Sequence, residues 1–327
     1  TGLHLADIDV LYHTLRRLVQ RGDGVIVVEH SPDRQRNRYS SAMSAATFVS
    51  FALAAGLGAL LSTVLPPSAM GDWGWRILFL LSIPMGLIAF YIRSKLHESP
   101  EFQAMVEESA NRPAPTLSQV MRTQWPQMLK LGGFVMLTAL SFYIFSTYMA
   151  TFLTQVVGLP QHLALLSSLI SLLFATALSP VMGRVSDRLG RRRTMQLAAT
   201  LLVVLTIPAY MLAEMGTLGS AVASQLLIAT GAVTANVVTS VLISEMFSTD
   251  VRYTASGMSY NITYAVFGGT APYIATWLVA STGNSLAPAI YVSIVAAVSL
   301  IVVSAFIKET AGRPLRRFYD DPVAADA

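Results

Sequence analysis

Stretches without any charged side chain dominate the pattern of the chain. No Asp, Glu, Lys or Arg occurs in six tracts: 39–71, 77–92, 131–183, 194–213, 215–244 and 253–307. A bilayer core of about 30 Å is crossed by roughly 20 apolar helical residues, because a helix satisfies its own backbone hydrogen bonds where no water is present. Tracts of this length and character predict membrane-spanning helices.

Two of the tracts are long enough to cross a membrane twice. The tract 131–183 contains the turn sequence GLPQH at 158–162, and the tract 253–307 contains STGNS at 281–285. Dividing both tracts at these turns predicts eight spans and an all-α membrane protein. A polar stretch, 96–128, separates the first two predicted spans from the last six.

The basic side chains indicate an orientation. Threading the chain through eight spans places most of the 22 Lys and Arg residues on one face. These residues are Arg34, Arg36, Arg38, Arg93, Lys95, Arg112, Arg122, Lys130, Arg184, Arg188, Arg191, Arg192, Arg193, Arg252, Lys308, Arg313, Arg316 and Arg317. Because basic residues stay on the cytoplasmic side during insertion, we expect a multi-pass protein with both termini in the cytoplasm.

Composition supports the membrane assignment. Apolar residues make up 54% of the 327 residues and charged residues 12%, with a mean hydropathy of +0.56. A soluble domain averages about 25% charged residues, so an ordinary water-soluble globule and a nucleic-acid reader are excluded. The chain has no cysteine, which excludes disulfides, thiolate zinc sites and a cysteine nucleophile. No metal or cofactor is expected.

The sequence GRVSDRLGRR at 183–192 lies between the predicted fourth and fifth spans. Gly183 and Gly190 are expected to permit a tight turn, and Asp187 can cap a helix end or pair with an arginine. The cations Arg188, Arg191 and Arg192 would anchor the loop in the cytoplasm. The run resembles the G-x-x-x-D-R-x-G-R-R signature of the major facilitator superfamily, which implies a conformational latch; a bare topology anchor is the alternative.

A second run, SEMFSTDVRY at 244–253, resembles the E-x-F-x-T-x-x-R pattern of the metabolite:proton symporter branch of that superfamily. The resemblance implies that Glu245 and Arg252 belong to a charge network closing the cytoplasmic side. Two solvated charges at the membrane boundary are the alternative. Further runs that resemble this branch are 73–77, 91–93, 98–102, 259–261, 268–272 and 308–315.

Within that branch, residues 29–315 most resemble the proline and glycine betaine transporters. The resemblance implies proton-coupled symport of a small metabolite or osmoprotectant by alternating access in a bacterial inner membrane, without use of ATP. A dicarboxylate, citrate or shikimate symporter is an alternative, because such carriers share these loops. A non-transporting chimeric membrane protein is another.

Polar and aromatic residues within the predicted spans are candidates for substrate binding, because polar groups are costly at mid-membrane. Aromatic faces attract a quaternary ammonium by roughly 0.5 to 2 kcal/mol each. The candidates are Tyr143, Tyr148, Asn236, Asn261 and Tyr264, with Phe142, Phe145 and Tyr260 nearby. The alternatives are packing or interface anchoring for the aromatic residues and interhelical hydrogen bonding for the asparagines. All acidic residues lie outside the middles of the spans, and in the family the proton-coupling groups are associated with the amino-terminal bundle.

The resemblance implies a truncated major facilitator fold equivalent to helices five to twelve. We expect the last two helices of the first bundle at 34–95, a cytoplasmic linker at 96–128, a six-helix bundle at 129–310 and a cytoplasmic tail at 311–327. Such a chain is expected not to transport by itself. Residues 1–33 resemble instead the carboxy-terminal part of a UvrA-type ATPase, which predicts a soluble fragment and a chimeric origin; a natural cytoplasmic cap is the alternative.

Overall fold

A computed structural model describes residues 31–32, 35–95, 117–247 and 249–312. Within these ranges every regular element is helical, so the expected all-α fold is confirmed there. The elements are α1 Arg36–Val64, α2 Pro67–Ala69, π1 Met70–Gly74, α3 Trp75–Leu80, α4 Ser82–Lys95, α5 Leu117–Tyr143, π2 Ile144–Tyr148, α6 Met149–Gln155, α7 Gln161–Leu189, α8 Arg191–Ala213, α9 Leu218–Glu245, α10 Thr249–Thr263, π3 Tyr264–Gly269, α11 Ala271–Thr282 and α12 Ala287–Phe306.

Six helical stretches in the described residues are long and apolar enough to cross a membrane. They are α1, the continuous helix Ser118–Gln155 that contains π2, α7, α8, α9 and α12. The count of eight is therefore not confirmed. The second predicted span is divided into the short helices α3 and α4, and the seventh is divided into α10, which is rich in polar residues, and α11.

Both turns predicted inside the long tracts are present. Helix α6 ends at Gln155 and α7 begins at Gln161, directly after Pro160. Helix α11 ends before Gly283, whose φ of 65° lies in the left-handed region. That conformation satisfies the last carbonyls of a helix and suits glycine, so the local sequence determines where these helices end.

Helix α5 begins at Leu117, inside the range 96–128 that the sequence assigned to the linker. Its first turns carry a buried stripe formed by Val120, Gln124 and Met128. These residues are four apart, so they lie on one helical face, although polar neighbours hide the stripe in the sequence. Residues 96–116 and the ATPase-like residues 1–30 lie outside the described residues.

Large apolar side chains cover the outside of the helices. Leu53, Phe79, Trp277 and Ile301 are all more than half exposed. A soluble monomer rarely presents so continuous an apolar surface, whereas the hydrocarbon of a bilayer would cover it. The exposed surface is therefore that of a membrane protein.

Small residues bring α1 and α7 into the most extensive helix contact of the described structure. Gly183 lies against Ser41 and the Asn37 carbonyl, where a Cβ atom would be 2.7 Å from Ser41 Oγ and 2.8 Å from Asn37 O. The expectation that Gly183 forms a turn is wrong, since the residue is buried inside α7. Its function there is close helix packing, as small residues provide in membranes.

Replacing Gly183 by alanine is expected to push α1 and α7 apart and to cost about 1 to 3 kcal/mol of stability, the usual cost of overpacking. Gly257→Ala is the matched control, because nothing lies within 4 Å of a Cβ at that helical position. The apparent melting temperature in detergent, followed by tryptophan fluorescence, should fall only for Gly183→Ala. Equal melting temperatures for the two variants would contradict this packing role.

Candidate functional site

A single residue, Gly190, connects α7 to α8. Its φ of 91° and ψ of 164° lie in a region that is essentially restricted to glycine. A Cβ atom at Gly190 would also be 2.8 Å from the carboxylate carbon of Glu309. Backbone conformation and a neighbouring side chain thus both require glycine at this turn, as the sequence predicted for Gly190.

Asp187, in the last turn of α7, binds residues of both α1 and α8. Its Oδ1 accepts the backbone N–H of Asn37 at 3.1 Å and its Oδ2 accepts that of Arg38 at 2.8 Å, both in the first turn of α1. Oδ1 also accepts a hydrogen bond from Arg191 Nη1 at 2.7 Å. The sequence offered a helix cap or an arginine pair as alternatives, and the structure has both.

Arg191 is the buried centre of the site, with 1% of its side chain exposed. Beyond its bond to Asp187, it donates from Nη2 to Glu245 Oε1 at 3.2 Å and from Nε to Glu245 Oε2 at 3.4 Å. Arg36 Nη1 approaches the same Glu245 Oε1 at 3.6 Å. Two carboxylates and two guanidinium groups from α1, α7, α8 and α9 therefore neutralise one another away from water.

The segment after α12 completes this arrangement. Glu309 accepts the backbone N–H groups of Arg191 at 2.7 Å and Arg192 at 3.2 Å, so a negative charge caps the positive end of α8. Thr310 Oγ1 donates to Glu245 Oε2 at 2.6 Å. We call Arg36, Asp187, Arg191, Glu245 and Glu309 the charge cluster.

Other predicted motif residues lie at its margin. Arg188 is exposed, while the Arg192 side chain donates to the Ser304 carbonyl. Arg252 is buried and donates from Nε to the Phe247 carbonyl at 3.2 Å. The structure therefore brings Asp187 and Arg191 to Glu245, and it gives Arg252 a backbone partner.

Arg36 and Glu309 were not identified as site residues from the sequence. Arg36 counted only as one of many basic residues that fix the topology. Glu309 stood within the run KETAGRPL at 308–315, which was used only as a family resemblance. An acid directly after the last span was the available signal for Glu309, but its partner at Arg191 is far away in the sequence.

The predicted substrate residues separate into different environments. Tyr143 and Tyr264 lie together, with ring centroids 6.4 Å apart. Tyr148 is buried in the bundle, 1% exposed, with its ring 6.2 Å from Phe152, so the structure gives it a packing position. Phe142 and Phe145 pack against Phe48 of α1.

The two predicted asparagines also have different surroundings. Asn261 is exposed and donates from Nδ2 to the Gly257 carbonyl of its own helix at 2.8 Å. Asn236 is half-buried on α9, about one turn from Thr239, whose hydroxyl bonds to that of Thr138 at 2.7 Å.

Comparison with known proteins identifies the class to which this fold and charge cluster belong. The sequence profile of the Major Facilitator Superfamily matches residues 24–270 and 131–319. The chain belongs to this superfamily of membrane proteins. The first match begins inside residues 1–33. Neither this profile nor the individual relatives described next support the ATPase resemblance of that segment.

Individual relatives are bacterial transporters. The proline/betaine transporter of Escherichia coli strain K12 is 36% identical over 309 residues, covering 90% of this chain and 60% of the relative. The glycine betaine/proline/ectoine/pipecolic acid transporter OusA of Dickeya dadantii is 33% identical, with 90% and 60% covered. The ectoine/proline transporter ProP of Corynebacterium glutamicum is 31% identical, with 90% and 61% covered. The chain thus spans about 60% of the length of these relatives.

The variant Gly190→Ala tests the turn in the cluster. We expect a loss of about 2 to 4 kcal/mol, because a glycine-only conformation costs about 1 to 3 kcal/mol and the new methyl group also meets the Glu309 carboxylate. Gly283→Ala is the matched control, with a positive φ of 65° and nothing within 4 Å of its Cβ. The apparent melting temperature in detergent should fall more for Gly190→Ala than for Gly283→Ala.

Combining Gly190→Ala with Glu309→Ala separates the two causes. The double variant should recover part of the loss, since the collision is relieved while the backbone strain stays. A double variant in which the two losses simply add would show that the Glu309 carboxylate does not restrict this turn.

Proposed function

We propose that the protein is a secondary transporter that takes up a small zwitterionic osmoprotectant of the proline or betaine type together with protons, by alternating access across a bacterial inner membrane. The observation that carries the proposal is the charge cluster in a chain of the major facilitator superfamily. The names of the relatives supply the solute class, since they refer to proline, betaine and ectoine.

The proposed topology has eight membrane crossings, with α3–α4 and α10–α11 as the second and seventh. They correspond to helices five to twelve of a facilitator, and both termini lie in the cytoplasm. In this arrangement α1 and α3–α4 belong to one bundle, and the helices from α5 onwards form the other. The position of Asp187, Arg191, Glu245 and Glu309 at one end of α7, α8, α9 and α12 agrees with such a layout.

The charge cluster would act as the cytoplasmic latch. Within the second bundle, Arg191 binds Asp187 and Glu245 through three hydrogen bonds. Across to α1, the cluster contributes two backbone N–H bonds to Asp187 and the longer ion pair of Arg36 with Glu245. Release of the α1 contacts would open the cytoplasmic side, while the bonds within the second bundle persist.

We propose proton coupling from the resemblance to the metabolite:proton symporter branch. The described spans hold no acidic side chain at mid-membrane, because Glu214 and Glu245 lie at helix ends. We therefore place the proton-carrying group outside these spans, in the part of the transporter that precedes α1.

Uptake into proteoliposomes tests this function with a gene product that contains all twelve helices of the family fold, because helices five to twelve alone are expected not to transport. Radiolabelled proline and glycine betaine should accumulate when the outside is made acidic, because an inward proton gradient drives symport, and a protonophore should abolish the accumulation. Protein-free liposomes are the control. Uptake that survives the protonophore and instead requires ATP would contradict the proposal, as would an absence of uptake of both solutes.

A further inference from the structure

A row of aromatic rings crosses from α1 to the segment α10–π3. Phe51 of α1 contacts Phe142 with centroids 5.2 Å apart, and Phe142 is 5.7 Å from Tyr143. Tyr143 lies 6.4 Å from Tyr264, with the rings inclined at 65°. Tyr260 stacks on Tyr264 at 4.2 Å and 27°. The row thus ends in three tyrosines, which we call the tyrosine cluster.

Two π-helical segments meet at this cluster. Tyr143 is the last residue before π2 and Tyr264 is the first residue of π3. Gly268 of π3 lies against the Tyr143 ring, where a Cβ atom would be 2.8 Å from Cδ2 and Cε2. Irregular turns of this kind cost helical hydrogen bonds and are frequent at functional sites. Both helices depart from α geometry at the place where their tyrosines meet.

The surroundings of the cluster are uncharged. Neither the tract 131–183 nor the tract 253–307 contains an acidic or basic residue. A cation that enters between α5 and α10–π3 therefore meets ring faces and neutral dipoles, with no carboxylate from either segment. Tyr143, Tyr260 and Tyr264 are each partly exposed, unlike the buried Tyr148.

Betaine and proline, which the names of the relatives refer to, differ in how their cationic group is solvated. The trimethylammonium group of betaine has no N–H to donate, so it loses no hydrogen bond when ring faces replace water. The secondary ammonium of proline has two N–H donors, which need acceptors once they leave water. Ring faces attract a cation but provide no good acceptors for the two N–H groups of proline, so we expect the ammonium of proline to bind to polar acceptors away from the rings.

We propose that Tyr143, Tyr260 and Tyr264 bind the methylated ammonium group of the solute and set a preference for betaine over proline. The proposal rests on the transport function proposed above and assigns one solute group to one place in the structure. The preference arises from the ring faces, so the tyrosine hydroxyl groups are not required for it.

Position 264 allows the sharpest test, made with the complete protein in proteoliposomes. Tyr264→Phe keeps the ring face and should leave the KM for betaine within about twofold of the wild-type value. Tyr264→Leu removes the face and should raise the KM for betaine about tenfold, which corresponds to about 1.4 kcal/mol. The KM for proline should change by less than about twofold in both variants.

Fluorinated phenylalanines at position 264 keep the fold and remove only the electrostatic attraction of the ring. Because each fluorine weakens the negative face of the ring, the KM for betaine should rise stepwise from phenylalanine through the monofluoro to the trifluoro derivative. The KM for proline should stay level across the series. A purely structural tyrosine would give no graded difference between the two solutes.

Tyr273→Leu is the matched control, since Tyr273 lies on α11 with 75% of its surface exposed, away from the cluster contacts. It should leave both KM values unchanged. If the wild type transports both solutes and Tyr264→Leu impairs them equally, or if the fluorine series is flat, the tyrosine site is overturned while the transport function stands. If the wild type takes up neither solute, the transport function itself fails.

Discussion

The buried guanidinium group of Arg191 constrains the end of the helix bundle at which α7, α8 and α9 meet. An ion in a low-dielectric interior costs several kcal/mol unless it is paired and hydrogen-bonded. Asp187 and Glu245 supply that pairing, so the ends of α7, α8 and α9 must stay together around Arg191. Glu309 then fixes the segment after α12 to the same helix start. Arg191 thus connects four elements, three through its side chain and the fourth through its backbone N–H.

The contacts to α1 are of a different kind. Besides the close packing of α1 against α7, the cluster contributes two hydrogen bonds from backbone N–H groups to Asp187 and a longer ion pair at 3.6 Å. Hydrogen bonds to a charged group contribute about 1.5 to 3 kcal/mol each. Reversing a two-state equilibrium from 1:99 to 99:1 requires about 5.5 kcal/mol. The summed free energy of these contacts is of that order. In the proposed latch, a bound solute would have to offset contacts of this size.

Local features of the sequence predicted much of this structure. The apolar tracts predicted helices, the turn residues predicted the helix ends at Gln155 and Thr282, and the motif predicted the turn at Gly190. For Asp187, the pairing with Arg191, four residues further on, was one of the two alternatives stated. These successes share one property, since each depends on residues that are neighbours in the chain.

Long-range contacts were not predictable in the same way. Gly183 was assigned to a turn because its contact with Ser41 of α1 is invisible in the sequence, and Glu309 was missed for the same reason. The π segments break the helical period without a glycine or proline signal at Tyr143, so the meeting of Tyr143 with Tyr264 could not be foreseen. Tyr148 and Tyr264 looked equivalent as mid-span tyrosines, and only packing distinguishes them.

The most direct test of the account is a distance measurement across the charge cluster. The chain has no cysteine, so spin labels can be attached to cysteines introduced at the exposed positions Gln35 and Arg193 of the complete protein in lipid nanodiscs. Electron–electron double resonance should give a single short distance in the wild type and in Arg184→Gln, whose side chain is exposed on α7. Asp187→Asn should add a population at longer distance, because α1 loses its anchor. Identical distance distributions in Asp187→Asn and the wild type would contradict the claim that this cluster holds the cytoplasmic side closed.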